Sequence, residues 1–134
     1  MGLDIGATKI LGVVASVEGD VLASVRVASP TGGDQVVASA AEVVEKLRAA
    51  AGGPGAGVVG VGIPGLVDVE HGTVRHAVNL GVADGYPFSE RLGAVTGARV
   101  VLDNDANAAA LGAAALLGER DLGYLSLEIG RAHV

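Results

Sequence analysis

Gly2-Leu3-Asp4-Ile5-Gly6-Ala7-Thr8-Lys9-Ile10-Leu11-Gly12-Val13-Val14 is two apolar runs broken by a short turn, the pattern of a tight connection between antiparallel strands. Gly6 and Ala7 keep side chains out of the way, so backbone N–H groups and the Thr8 hydroxyl can approach an anion closely. Asp4, at the end of the first strand, faces the same space. A carboxylate beside bound phosphates would repel them unless a magnesium ion, held partly through water, lies between. Taken alone, the stretch is equally an ordinary hairpin with an Asp at a strand end.

Working outward, Ile10 to Val17 and Val21 to Ala28 flank Glu18-Gly19-Asp20, a second hairpin signal, so the first three strands are predicted to form an antiparallel meander. Ser29 to Gly33 reads as a loop. Asp34 to Ala50 then places Val36, Ala40, Val43, Val44 and Leu47 on one helical stripe, with Glu42 and Lys46 one turn apart on the wet face. The Gly-rich segment Gly52 to Gly57 ends that helix and is a connector rather than a phosphate loop, because no Gly-Lys-Ser or Gly-Lys-Thr follows it. Val58 to Ile63 is a continuous apolar run suited to a buried parallel strand. Pro64-Gly65 breaks it and leaves its C-terminal edge open.

A second string, Leu102-Asp103-Asn104-Asp105-Ala106-Asn107, supports the first. Arg99 to Leu102 is a short β-branched run and Ala106 to Leu117 is rich in Ala and Leu, so Asn104 and Asp105 fall at a strand-to-helix junction. Asp105 could serve only as an N-cap. At the exposed end of a strand, beside an Asn able to fix a hydroxyl, it could also take a proton from a hydroxyl attacking a phosphate, and the helix N-terminus would hold its pKa low. Ligand sites of open α/β sheets gather at the C-terminal ends of parallel strands. Gly65 and Asn104-Asp105 meet that rule, and Asn79 in the loop between could reach the same crevice. Each has a plainer reading, a turn glycine or a loop-capping amide. His71 and His76 lie in a polar loop with Glu70 and Arg75 and read as solvated rather than metal-binding. Asp68 closes a turn, Tyr86, Pro87 and Phe88 open a helix toward Val95 and pack the edge of the fold, and the loop from Gly81 to Gly85 could brush a bound small molecule.

The chain has 134 residues, a length suited to one domain burying roughly two thirds of its unfolded surface. Half the residues are hydrophobic but only 2% are aromatic, so the core must be built from Val, Leu, Ile and Ala. A net charge of −6 offers no basic surface for a nucleic-acid backbone. There is no cysteine, hence neither a disulfide framework nor a zinc thiolate site, which fits a reducing, cytoplasmic compartment. The apolar runs are too short and too interrupted for a membrane span, and no secretion signal is evident at the start.

Four strings in order, DIGATK at Asp4, VGVGIPGLVD at Val59 to Asp68, Asn79-Leu80, and LDNDANAAALG at Leu102, give the chain from Gly2 to Leu127 a resemblance to the ROK sugar kinases within the actin-like ATPase superfamily. The resemblance implies an α/β, ribonuclease-H-like lobe: a mixed five-stranded sheet with a three-strand antiparallel meander and flanking helices. It further implies that Asp4 serves the magnesium and phosphate groups of ATP, that Gly6, Ala7, Thr8 and Lys9 line the phosphates, that Gly65, Asn79 and Asn104 contact a sugar, and that Asp105 is the general base. The activity implied is ATP-dependent phosphorylation of a hexose, glucose first, at its terminal hydroxyl. The second phosphate loop, the adenosine pocket, a sugar-contacting Glu and His and a structural zinc would belong to a C-terminal lobe beyond this stretch, and the complete protein is implied to be a homo-oligomer. Two departures stand out: Ala7 replaces a more usual second glycine, and Ala113 replaces a more usual glutamate. Alternatives from other classes are the sugar-sensing domain of a ROK-type transcriptional repressor and another actin-like ATPase or phosphatase.

The tail, Glu128-Ile129-Gly130-Arg131-Ala132-His133-Val134, can be encoded as GAG ATC GGA AGA GCA CAC GTC, a common ligated sequencing adapter preceded by one G. Residues 1–127 are therefore expected to be the native lobe and 128–134 adapter translation, to be set aside before fold reasoning; these codons in the intact chromosomal locus would overturn that. Removing Glu128 and Arg131 leaves the charge unchanged, since one of each sign goes.

Overall fold

The computed structural model describes residues 1–16, 18–52 and 57–105. The helix predicted over Ala106 to Leu117, the departure at Ala113 and the tail from Glu128 lie outside the described residues.

The opening stretch forms β1, Gly2–Ile5, and β2, Lys9–Ala15, paired antiparallel with Ile5 opposite Ile10. The chain returns as β3, Val21–Ala28, completing the meander. Helix α1, Gly33–Ala50, follows, then β4, Val58–Ile63, parallel to β1, and finally β7, Arg99–Asn104, parallel to β4. Across the sheet the order is β3-β2-β1-β4-β7. The meander and the mixed five-stranded sheet therefore stand as the sequence predicts, with β7 running two residues further than the apolar run suggests, so that Asn104 is the last strand residue.

Alternation decides which face is covered. Leu3, Val61 and Leu102 stand in one register row and are all buried, with Ile5, Ile10, Val59 and Ile63 on the same side. Helix α1 lays Val36, Val37, Ala40, Val43, Val44 and Leu47 onto this face, the stripe read from the sequence. Its approach to β2 depends on Gly12: a Cβ there would overlap Val43 Cγ1 and stand 2.8 Å from Leu47 Cδ1. Glu42 and Lys46 pair at 3.5 Å on the exposed side of α1, a contact worth a few tenths of a kcal/mol.

Helix α2, Phe88–Thr96, packs against α1 and β7, with Phe88 and Leu92 fully buried. Its C-terminus is held by Arg48 of α1, whose Nη1 donates to the Thr96 carbonyl at 2.8 Å while also meeting Glu45. A cation on the last carbonyls satisfies an unpaired acceptor and complements the helix dipole.

Between β4 and α2 the sequence predicts a polar loop, and the chain instead builds a small separate sheet. Strands β5, Leu66–Asp68, and β6, Thr73–Arg75, pair antiparallel. Asp68 closes their turn as expected: its Oδ1 accepts the His71 N–H at 3.2 Å, and its carbonyl accepts the Gly72 N–H at 2.8 Å. His71 Nδ1 lies 2.8 Å from Asp68 Oδ2, and this contact holds the Asp68 carboxyl below the usual carboxylate range. A 3-10 turn at Val78–Leu80 then leads to Tyr86, which closes the edge of the fold by donating its hydroxyl to Asp34 Oδ1 at 2.6 Å. No described helix is long and apolar enough to cross a membrane.

Candidate active site

The candidate residues gather on one edge of the sheet, because β1, β4 and β7 are mutually parallel and end together. After β1 comes Gly6, whose N–H donates to the Lys9 carbonyl at 2.8 Å and makes the turn tight. Ala7, Thr8 and Lys9 are exposed at its tip. Among the described residues no backbone hydrogen bond occupies the N–H groups of Ala7 or Thr8, while the Thr8 carbonyl is tied to Ser29 N–H at 3.0 Å. The turn thus presents donors outward from a fixed base, the arrangement an anion requires. Ala7 is compatible with it: among the described residues only His76 combines a side chain with positive φ. A second glycine is not needed here on conformational grounds.

Asp4 lies on the sheet face opposite α1, in the row Leu11, Asp4, Gly62, Asp103. Two strand spacings separate Asp4 from Asp103, roughly 10 Å between Cα atoms, and Gly62 contributes no side chain between them. A cavity of about 420 Å³ lies over this row, lined by Asp4, Gly62 and Asp103 with apolar neighbours Leu11, Val13 and Val101. Hard oxygen donors beside an outward-facing turn of N–H groups suit a divalent cation bound together with phosphates. Asp103, which no pattern in the sequence marks, belongs to this row. Its Oδ1 also accepts the Asn104 N–H at 2.7 Å.

After β4, Gly65 adopts φ +105°, and a Cβ there would lie 2.6 Å from the Arg75 carbonyl, so only glycine lets the turn press against β6. Its carbonyl accepts Asn104 Nδ2 at 2.7 Å. Two residues singled out separately in the sequence are therefore in direct contact. Asp105 follows Asn104 directly and is half-buried. Asn79 sits in the 3-10 turn and is exposed; it makes no hydrogen bond with the others among the described residues. No group of three or more His, Asp or Glu side chains among the described residues is arranged to hold a metal alone. His71 and His76 are both exposed, in keeping with the solvated reading.

A meander continued by parallel strands in the order 3-2-1-4-7, with an outward-facing turn after the first strand and a carboxylate after the last, defines a lobe of the actin-like ATPase class. Within that class the chain belongs to the ROK family, whose family model matches residues 1–124. A glucokinase of Streptomyces coelicolor is 38% identical over 112 residues, covering 84% of this chain and 34% of that protein. Among solved structures, a ROK hexokinase from Thermus thermophilus superposes with a TM-score of 0.76 at 38% identity, over 84% of this chain and 37% of the other. A ROK glucokinase from Streptomyces griseus, solved with glucose and AMPPNP, gives a TM-score of 0.76 at 34% identity, over 84% of this chain and 35% of the other. The chain thus spans about a third of the length of the relatives it matches.

Proposed function

We propose that this chain is the N-terminal lobe of an ATP-dependent hexose kinase, with glucose the first candidate substrate. The observation that carries the reading is the 2.7 Å bond from Asn104 to the Gly65 carbonyl. It ties the turn after β4 to the last residue of β7, whose strands end beside β1 and the turn that follows it.

Asn104 and Gly65 hold the floor of a sugar pocket, and Asn79 closes it from the loop side. Asp105 accepts the proton of the attacking hydroxyl as that oxygen bonds to the γ-phosphorus and the bond to the β-phosphate oxygen breaks. Gly6, Ala7, Thr8 and Lys9 line the phosphates through backbone N–H groups, a hydroxyl and an ammonium. Asp4 would hold magnesium, partly through water, and the ion would neutralise phosphate charge. The nucleotide-bound structural relative supports ATP as the phosphoryl donor. The complete protein would close a second lobe over the substrate pair, work in the cytoplasm and assemble as a homo-oligomer.

The test is a coupled ADP-release assay of the complete protein with ATP, magnesium and a panel of glucose, mannose and N-acetylglucosamine. Sugar-dependent ADP release supports the reading, and its absence with every sugar overturns it.

A further inference from the structure

One strained residue and one carboxylate stand at the mouth of the loop that carries Asn79. His76 is the single non-glycine residue with positive φ among the described residues, at 57°. His enters the left-handed region more readily than most side chains, yet a non-glycine residue there is uncommon and is stabilised by whatever holds its backbone. Here the hold is visible. Asp84 Oδ1 accepts the His76 N–H at 2.9 Å, a side-chain bond set just inside the backbone pairing of Val74 with Gly85 and Tyr86 that joins the ends of the loop.

Inside that closure the chain bonds to itself, with Leu80 and Val82 N–H groups both donating to the Ala77 carbonyl at 3.1 and 3.3 Å. Ala77, Leu80 and Val82 are buried anchors, whereas Asn79 is exposed between them. The start of the loop also abuts Gly65: a Cβ there would lie 3.3 Å from the His76 carbonyl carbon and from Ala77 N. Gly65 in turn holds Asn104.

We propose that Asp84 is a positioning residue for sugar binding: by fixing the left-handed His76 backbone it sets the loop that presents Asn79 to the crevice formed by Gly65 and Asn104. Asp84 is exposed and acts on a backbone N–H, so its effect reaches the sugar through the loop rather than by contact. The inference rests on the reading of Asn79 as a sugar contact.

In the complete protein, Asp84→Ala is expected to raise the glucose KM about 10-fold while kcat and the ATP KM stay within about twofold. Asp84→Asn, which keeps an acceptor oxygen, is expected to restore most of the loss. Hydrogen exchange at the His76 amide should be faster in Asp84→Ala and near wild type in Asp84→Asn. In the wild-type protein, saturating glucose should slow exchange across residues 76–82, a readout that needs no variant to fold. A glucose KM unmoved by Asp84→Ala, no rescue by Asn, or no protection of 76–82 by glucose would each overturn the inference. A wild-type protein that phosphorylates no hexose would instead defeat the kinase reading, and faster His76 exchange in Asp84→Ala would still establish the closure itself.

Discussion

Asn104 donates its Nδ2 hydrogen to the Gly65 carbonyl at 2.7 Å, across 39 residues of sequence, so the last residue of β7 and the turn after β4 hold each other in place. The contact is half-buried, and removing the donor leaves a carbonyl with one partner fewer. Asn104→Ala is expected to cost about 1–2 kcal/mol of stability in urea denaturation. The same change should raise the hexose KM of the complete protein about 10-fold or more. A stability loss with an unchanged KM would restrict Asn104 to a structural role.

Asp105 follows that residue at the edge where the parallel strands end. In the complete protein Asp105→Ala is expected to lower kcat by ~10²- to 10⁴-fold, with a melting temperature close to wild type. Steady-state kinetics beside a thermal melt separate the two effects. An unchanged kcat would remove Asp105 from the chemistry.

Gly65 has no tolerance for a side chain. At φ +105° with the Arg75 carbonyl 2.6 Å from any Cβ, Gly65→Ala is expected to destabilise the fold by about 3 kcal/mol, combining backbone strain with displacement of β6. Chemical denaturation reads this directly, and a loss below about 1 kcal/mol would mean that the turn can relax.

Tyr86 gives a pH signature. Burial and the bond to Asp34 push its hydroxyl up to about 12. Because the folded pKa lies above the unfolded one, the contribution is complete below about pH 10. Between about 10 and 12 the unfolded phenol ionises while the folded one keeps its proton, so stability falls with rising pH and the contribution is gone above the folded value. Urea denaturation of wild type against Tyr86→Phe across that window should show the difference between them shrinking as pH rises; a constant difference would contradict it.

The 134-residue chain by itself is expected not to turn over glucose and ATP, since the proposed chemistry needs a second lobe to close on both substrates. Purified chain that releases ADP in response to glucose would refute this.

The features legible in the sequence were those with a repeat or a break to see. The meander showed in its two turn signals, α1 in its stripe from Val36 to Leu47, and β4 in an unbroken apolar run ended by Pro64-Gly65. The sheet β5–β6 was not legible, because two strands of three residues around a polar turn carry too few alternations to register. For the site, residue type and strand-end position were enough to select Gly65 and Asn104, though nothing in their spacing says that one donates to the other. Asp103 is not legible because its partners in the row, Asp4 and Gly62, become neighbours only through parallel pairing. The loop from Gly81 to Gly85 is visible by its glycines, but the bond of Asp84 to His76 is not, since a carboxylate reaching a backbone N–H eight residues away has no characteristic pattern in sequence.

The missing side chain at Gly12 also sets what the first helix can reach. With Val43 seated where a Cβ would stand, α1 approaches β2 more closely than any side chain at position 12 would permit. The same helix grips the C-terminus of α2 through Arg48 and meets Tyr86 through Asp34. The bare backbone at Gly12 thus seats the helix whose two ends, Asp34 and Arg48, hold the Tyr86 loop and the C-terminus of α2.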